Sequence, residues 1–101
     1  MRLKEFEKNA IKKAVQNRFK PGARTFLFGS RIDEKKHGGD IDLYVETELE
    51  GEELMMAKLL AMVDIQRSIG DRKIDIVTAS PKLTRNIPAI IQKAKKEGIP
   101  L

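Results

Sequence analysis

The sequence contains no cysteine, few aromatic residues (four Phe and one Tyr) and no apolar run near the ~18 residues that a membrane span requires. Without cysteine there is neither a disulfide framework nor a thiolate metal site, which fits a reducing compartment. The chain opens with charge (Arg2, Lys4, Glu5), a start that lacks the pattern of a secretory signal, so the expected location is the cytoplasm. The scarcity of rings has its own consequence: no basic stretch is interleaved with aromatics for base stacking, which argues against direct nucleic-acid binding.

At 101 residues the sequence reads as one domain, residues 1–101. That length buries a core but leaves no residues for a second domain, so a large substrate must be gripped by this domain, another copy of it or a partner. The formal net charge of +5 is unevenly spread: ten acidic and three basic residues lie between Asp33 and Asp64, whereas the flanks hold seventeen basic and five acidic. An acidic centre between basic flanks suits a cation site set between phosphate-attracting surfaces, although Lys12, Lys13 and Lys93, Lys95, Lys96 read equally well as solvated helix faces.

Helical and strand patterns alternate along the chain. Leu3, Phe6, Ala10, Ile11, Ala14 and Val15 recur at helical spacing up to Phe19, where Pro21-Gly22 stops the helix. Thr25 to Phe28 reads as a short strand buried on both faces, and residues 31 to 39 as a polar loop with one helical turn after Ser30. Asp40 to Val45 alternates, placing Ile41, Leu43 and Val45 on one face and Asp40, Asp42 and Tyr44 on the other. A helix over 52–69 ends at Gly70, a strand covers Lys73 to Thr78, and a last helix runs from Asn86 as N-cap to Gly98 as C-cap. The order is αβ(α)βαβα.

Two carboxylates on one strand face need a reason, because like charges 4 Å apart repel by about 4 kcal/mol at an effective dielectric of 20 unless a counterion or a proton intervenes. A crossover helix of the length of 52–69 makes the strands at 40–45 and 73–78 parallel neighbours, so Asp75 can point into the space that Asp42 faces. Three converging carboxylates, Asp40, Asp42 and Asp75, make an oxygen site for Mg²⁺ or Mn²⁺. Gly29 lets the backbone approach a ligand closely, and Ser30 can cap a turn whose N–H groups face a phosphate. For Gly29 to lie beside Asp40, the first strand must run antiparallel to the second. Phosphates on one side and divalent metal on the other describe a nucleotidyl-transfer centre. Gly-Ser alone occurs everywhere and Asp-x-Asp alone is more often a solvated strand face; the coincidence of all these elements in order is far more specific.

These residues, Gly29-Ser30, Asp40-Ile41-Asp42-Leu43 and Asp75, resemble the signature of the DNA polymerase β-like nucleotidyltransferase superfamily, and the small size is similar to the minimal nucleotidyltransferases of prokaryotes. The resemblance implies an α/β (α+β) fold with a small mixed three-stranded sheet and helices packed on it. It further implies Asp40, Asp42 and Asp75 as catalytic ligands of two Mg ions (or Mn), with Asp75 also accepting the proton of the attacking hydroxyl. Gly29, Ser30 and Arg31 would contact the triphosphate of ATP. Many such relatives act as antitoxins of HEPN-domain ribonuclease toxins, some by moving AMP onto a toxin tyrosine; the alternative is a binding module that neutralises the toxin by covering its active site without catalysis.

One departure from the family pattern stands out. Relatives often continue Gly-Ser-x-Ala-Arg-Gly, but Asp33 stands here where they carry a second basic residue, with Lys35, Lys36 or an arginine from a partner available to compensate. His37 lies in the same loop, either near a phosphate or simply solvated. Helix 52–69 carries Leu54, Met55, Met56, Ala57, Leu59, Leu60 and further apolar residues over more than one face. It either builds a thick internal core or contributes to a homo- or hetero-oligomer, for which methionines are adaptable.

Overall fold

The computed structural model describes residues 4–20, 22–28, 41–70, 72–82, 85 and 87–101. The elements are α1 (Glu5–Phe19), β1 (Arg24–Phe28), β2 (Ile41–Glu46), α2 (Gly51–Ile69), β3 (Ile74–Ala79), α3 (Ala89–Glu97) and β4 (Ile99–Pro100). The sheet order is β3-β2-β1-β4, with β2 and β3 parallel and the other two pairs antiparallel. The one-turn helix expected after Ser30 falls outside the described residues, and so do Asn86 and His37.

Strand alternation divides the interior in two. Leu27, Ile41, Leu43, Val45, Ile74 and Ile76 face α1 and α2, meeting Ile11, Val15, Phe19, Ala57, Ala61 and Ile65 in the larger core. On the opposite face Phe28 and Tyr44 pack against Ile91 and Ala94 of α3, with Phe26 and Val77 beside them. β1 is therefore buried on both faces, as its unbroken apolar run suggests.

The helix ends follow local chemistry. At the start of α1 the Lys4 N–H donates to Glu7 Oε1 at 2.8 Å, satisfying a donor that the helix itself cannot. The buried Glu7 also meets Arg72 Nη1 at 3.1 Å, while Gln66 Nε2 donates to the Arg72 carbonyl at 2.9 Å, so one acidic side chain ties α1 to the approach to β3. α2 stops at Gly70, whose φ of 102° is open to glycine and whose N–H donates to the Gln66 carbonyl at 2.9 Å.

Two expectations need correction. The last helix begins at Ala89 with Pro88 as its N-cap, not at Asn86. A residue before proline is pushed out of helical backbone, so Ile87 cannot continue a helix begun upstream, and its carbonyl takes the Gln92 side chain at 2.8 Å instead. The sheet has four strands, not three, because Ile99 and Pro100 pair with Leu27 and Phe26. Two residues carry no periodicity, so only the return of the chain along β1 creates this strand. Among the described residues no helix is long and apolar enough to cross a membrane.

The return depends on Gly98. Its N–H donates to the Ala94 carbonyl at 2.7 Å, and a Cβ there would collide with that carbonyl and sit 3.0 Å from Phe26 Cβ. Gly98→Ala is expected to lower stability by about 1–3 kcal/mol in denaturant titration, as α3 or β4 is forced off β1. A second expectation concerns Arg18, whose Nε and Nη2 donate to Asp64 Oδ2 at 2.7 Å and Oδ1 at 3.2 Å, clamping α1 to α2. These hydrogen bonds hold the Asp64 carboxyl below its ordinary 3.8, against a smaller opposing effect of burial, with the charges of Arg18 and Arg67 assisting. A carboxyl depressed in the folded state adds stability above its unfolded value and loses it as pH falls. The gap in melting temperature between wild type and Asp64→Asn should therefore narrow as pH is lowered from about 6 to about 3.

Candidate active site

Parallel pairing in register places Asp42 opposite Asp75, with Ile41 opposite Ile74 and Leu43 opposite Ile76. Register partners in a parallel pair send their side chains to the same face, so the two carboxylates emerge side by side on strands about 4.8 Å apart. The isoleucines and Leu43 that flank them are buried on the other face, which leaves neither aspartate a way to turn inward. Asp42 is half-buried and Asp75 exposed. The Ile41 N–H donates to the Lys73 carbonyl at 2.9 Å, fixing the register at the very start of β2.

Three rows of side chains cross this face. The first is Phe28, Asp42, Asp75; the second Phe26, Tyr44, Val77; the third Arg24, Glu46, Ala79. α3 covers this face through Ile91 and Ala94, whose cluster takes in Phe28 of the first row, Tyr44, Phe26 and Val77 of the second and Ala79 of the third, while the charged groups remain less buried. Phe26 and Tyr44 stack with centroids 5.6 Å apart, and the Arg24 guanidinium lies 5.2 Å from the Phe26 ring centre. The Tyr44 hydroxyl donates to Glu46 Oε2 at 3.2 Å, and Arg24 Nη1 approaches Glu46 Oε1 to 3.7 Å. The sequence reading placed Tyr44 beside the aspartates but missed this aromatic and ionic row. Its signal was strand alternation continued two residues further on each strand.

Of the six site residues expected from sequence, Asp42 and Asp75 are brought together. Asp40, Gly29, Ser30 and Arg31 lie outside the described residues; in the chain, Gly29 directly follows β1 and Asp40 directly precedes β2. β1 runs antiparallel to β2 with Phe28 paired to Asp42, the orientation required for the Gly-Ser pair and the aspartates to belong to one end of the sheet. Among the described residues, no three His, Cys, Asp or Glu side chains form a metal-holding group. Two adjacent carboxylates are nevertheless hard oxygen donors of the kind Mg²⁺ prefers, and they fit as part of such a ligand set.

A cleft of about 630 Å³ lies elsewhere, lined by Phe19, Lys20, Glu46, Glu50 and Glu53 among others. Glu46 stands four residues beyond Asp42 on β2, which places the cleft roughly 13 Å from the carboxylate pair. Two of its glutamates are paired with cations, Glu46 with Arg24 at 3.7 Å and Glu53 with Lys20 at 4.0 Å. The donor chemistry of a metal-assisted site is instead found at the end of the sheet where Asp42 and Asp75 pair.

Comparison with family models gives a match to one described as nucleotidyltransferase domain, over residues 8–100. No curated protein sequence matches the chain.

The covered row makes a measurable prediction. Burial first, then the Glu46 charge and hydrogen bond, push the Tyr44 phenol up from 10.0 to about 12, with Arg24 opposing. A group whose folded value is raised contributes stability below its unfolded value, which is lost as pH rises through the folded one. Tyr44 is the single tyrosine and there is no tryptophan. The tyrosinate absorbance of the folded protein should thus have its midpoint near pH 12, and Glu46→Gln should shift it toward 10.

Proposed function

The chain belongs to the nucleotidyltransferase domain family, and from that premise we propose that it moves AMP from ATP to a hydroxyl in an Mg²⁺-dependent reaction. The acceptor is a tyrosine of a cognate HEPN-domain ribonuclease toxin, which the transfer silences, so that the chain acts as its antitoxin. The observation that carries the catalytic reading is the pairing of Asp42 with Asp75 on neighbouring parallel strands. The acceptor and the antitoxin role rest on the resemblance of Gly29-Ser30, Asp40-Ile41-Asp42-Leu43 and Asp75 to minimal nucleotidyltransferases.

In this reading Asp40, Asp42 and Asp75 would hold two Mg²⁺ ions. Bound there, the ions neutralise charge on the triphosphate and relieve the repulsion between the attacking oxygen and the phosphate. Gly29, Ser30 and Arg31 bind the triphosphate, the first two through backbone N–H groups and a hydroxyl, the third by charge. The acceptor oxygen attacks the α-phosphorus, a new O–P bond forms, and the bond from that phosphorus to the bridging oxygen breaks. Pyrophosphate departs with the electron pair. Asp75, the more exposed of the two paired carboxylates, takes the hydroxyl proton. Phe28, paired with Asp42 on its other side, is buried with Ile91 and Ala94 of α3 and so anchors the end of β1 beside the carboxylates.

Asp42→Asn should reduce transfer of label from radioactive ATP to the toxin by at least ~10²-fold while leaving the far-UV circular dichroism unchanged. Asp75→Asn should act similarly on transfer, with its surface position keeping the stability change within about 0.5 kcal/mol. Label reaching the toxin at the wild-type rate in either variant overturns the assignment. Neutralisation without ATP, and only at one copy or more per toxin active site, would instead identify a blocking module.

A further inference from the structure

The outer face of α2 is more apolar than solvent exposure alone explains. Ala57, Ala61 and Ile65 are buried, and Leu54, Met62 and Ile69 turn toward the same core, yet Met55, Met56 and Leu59 remain 71%, 52% and 53% exposed. Leu60 and Val63 are half-exposed beside them. At 100° per residue Met55, Met56, Leu59 and Val63 fall on one side of the helix, opposite the buried stripe. The line through this side is Glu52, Met56, Leu59, Val63, Gln66, spaced four, three, four and three residues apart, which is the spacing of a helix-to-helix seam.

Charge along the seam indicates the occupant. Glu52 and Glu53 stand in the first turn of α2 and Arg67 in the last; on the seam between them Met56, Leu59 and Val63 are uncharged, while Lys58 and Asp64 lie off it. If a second copy of the helix lies antiparallel, with Leu59 crossing Leu59 at a two-fold axis, then Met56 meets Val63 and Glu52 meets Gln66 and Arg67. This happens at both ends at once, because any pair repeats across a two-fold axis. A parallel arrangement would instead set glutamates against glutamates and align the helix dipoles. An uncharged core containing methionine with a charged rim is the composition of a protein interface. The nineteen-residue helix is about 28 Å long, and a contact made by one helix per copy buries less than the ~800 Å² per partner of a standard interface, so the association is weak.

We propose that α2 packs antiparallel against α2 of a second copy through Met55, Met56, Leu59 and Val63, with Glu52 of each copy facing Arg67 of the other. Asp42 and Asp75 lie on the sheet face away from α1 and α2, so both sites of such a dimer stay open. The inference does not depend on the proposed reaction.

Sedimentation velocity on the full chain between about 5 and 500 µM tests it. Wild type should pass from monomer to dimer over this range, and Leu59→Asp should stay monomeric with an unchanged circular dichroism spectrum. Glu52→Lys and Arg67→Glu should each weaken dimerisation by at least ~10-fold, and the double variant, which restores opposite charges across the axis, should recover to within ~3-fold of wild type. Wild type that is monomeric throughout, as expected if only a different protein covers this face, overturns the proposal. So does a dimer indifferent to Leu59→Asp, or a double variant no stronger than the single ones.

Discussion

In a parallel pair, register partners emerge on the same face, so the alignment of β2 with β3 settles at once which residues build the core and which stand on the opposite face. Ile41 with Ile74 and Leu43 with Ile76 close the face toward α1 and α2; Asp42 with Asp75 follows on the other. A slip of one residue would send a carboxylate into the apolar layer and an isoleucine out of it. The cost of either exchange is far larger than the repulsion between two surface carboxylates, so the core enforces the juxtaposition on which the proposed chemistry draws. Ile41 bonded to the Lys73 carbonyl, and the Glu7–Arg72 pair one residue earlier, hold β3 in place from the helical side.

The second sheet face shows how a short helix divides labour. α3 has nine residues and buries two of them, Ile91 and Ala94. With Phe28 and Tyr44 they close the apolar part of this face, while Asp42, Asp75, Arg24 and Glu46 remain less buried. At one end the carboxylates stand together; at the other Glu46 is offset by Arg24 and hydrogen-bonded by Tyr44. The two ends thus differ in kind: Glu46 is the one carboxylate in its row, whereas Asp42 and Asp75 concentrate two carboxylates on neighbouring strands. Such a concentration suits a cation, and that is the feature that separates a candidate site from an ordinary polar rim.

Much of this was legible because the signals are local. Period-2 alternation over Ile41 to Val45 placed Asp42 on its face, the Gly70 stop ended α2, and the length of α2 predicted the parallel neighbour that brings Asp75 alongside. The family match over residues 8–100 agrees with the fold that these signals indicate. What escaped the sequence reading depends on distant parts of the chain. β4 exists only because α3 returns the chain to β1, and Arg24 finds Glu46 only through antiparallel pairing. The start of α3 carries two competing local signals, Asn86 as a cap and Ile87-Pro88 as a break, and the helix follows the second. The breadth of apolar residues on α2 fits either a thick core or an interface when only the sequence is considered. The structure separates the two uses, with Ala57, Ala61 and Ile65 inside and Met55, Met56 and Leu59 outside.

The proline of β4 has a consequence for how the molecule behaves in a crowd. The Leu101 N–H reaches inward to the Thr25 carbonyl at 3.0 Å, so by the alternation of a strand the nitrogen of Pro100 faces away from β1. At that outward position a proline has no hydrogen to offer. The rim of the sheet is thereby blunted where an unfolded or misfolded neighbour would otherwise zip on, and the chain carries its own guard against fibrous growth from that side.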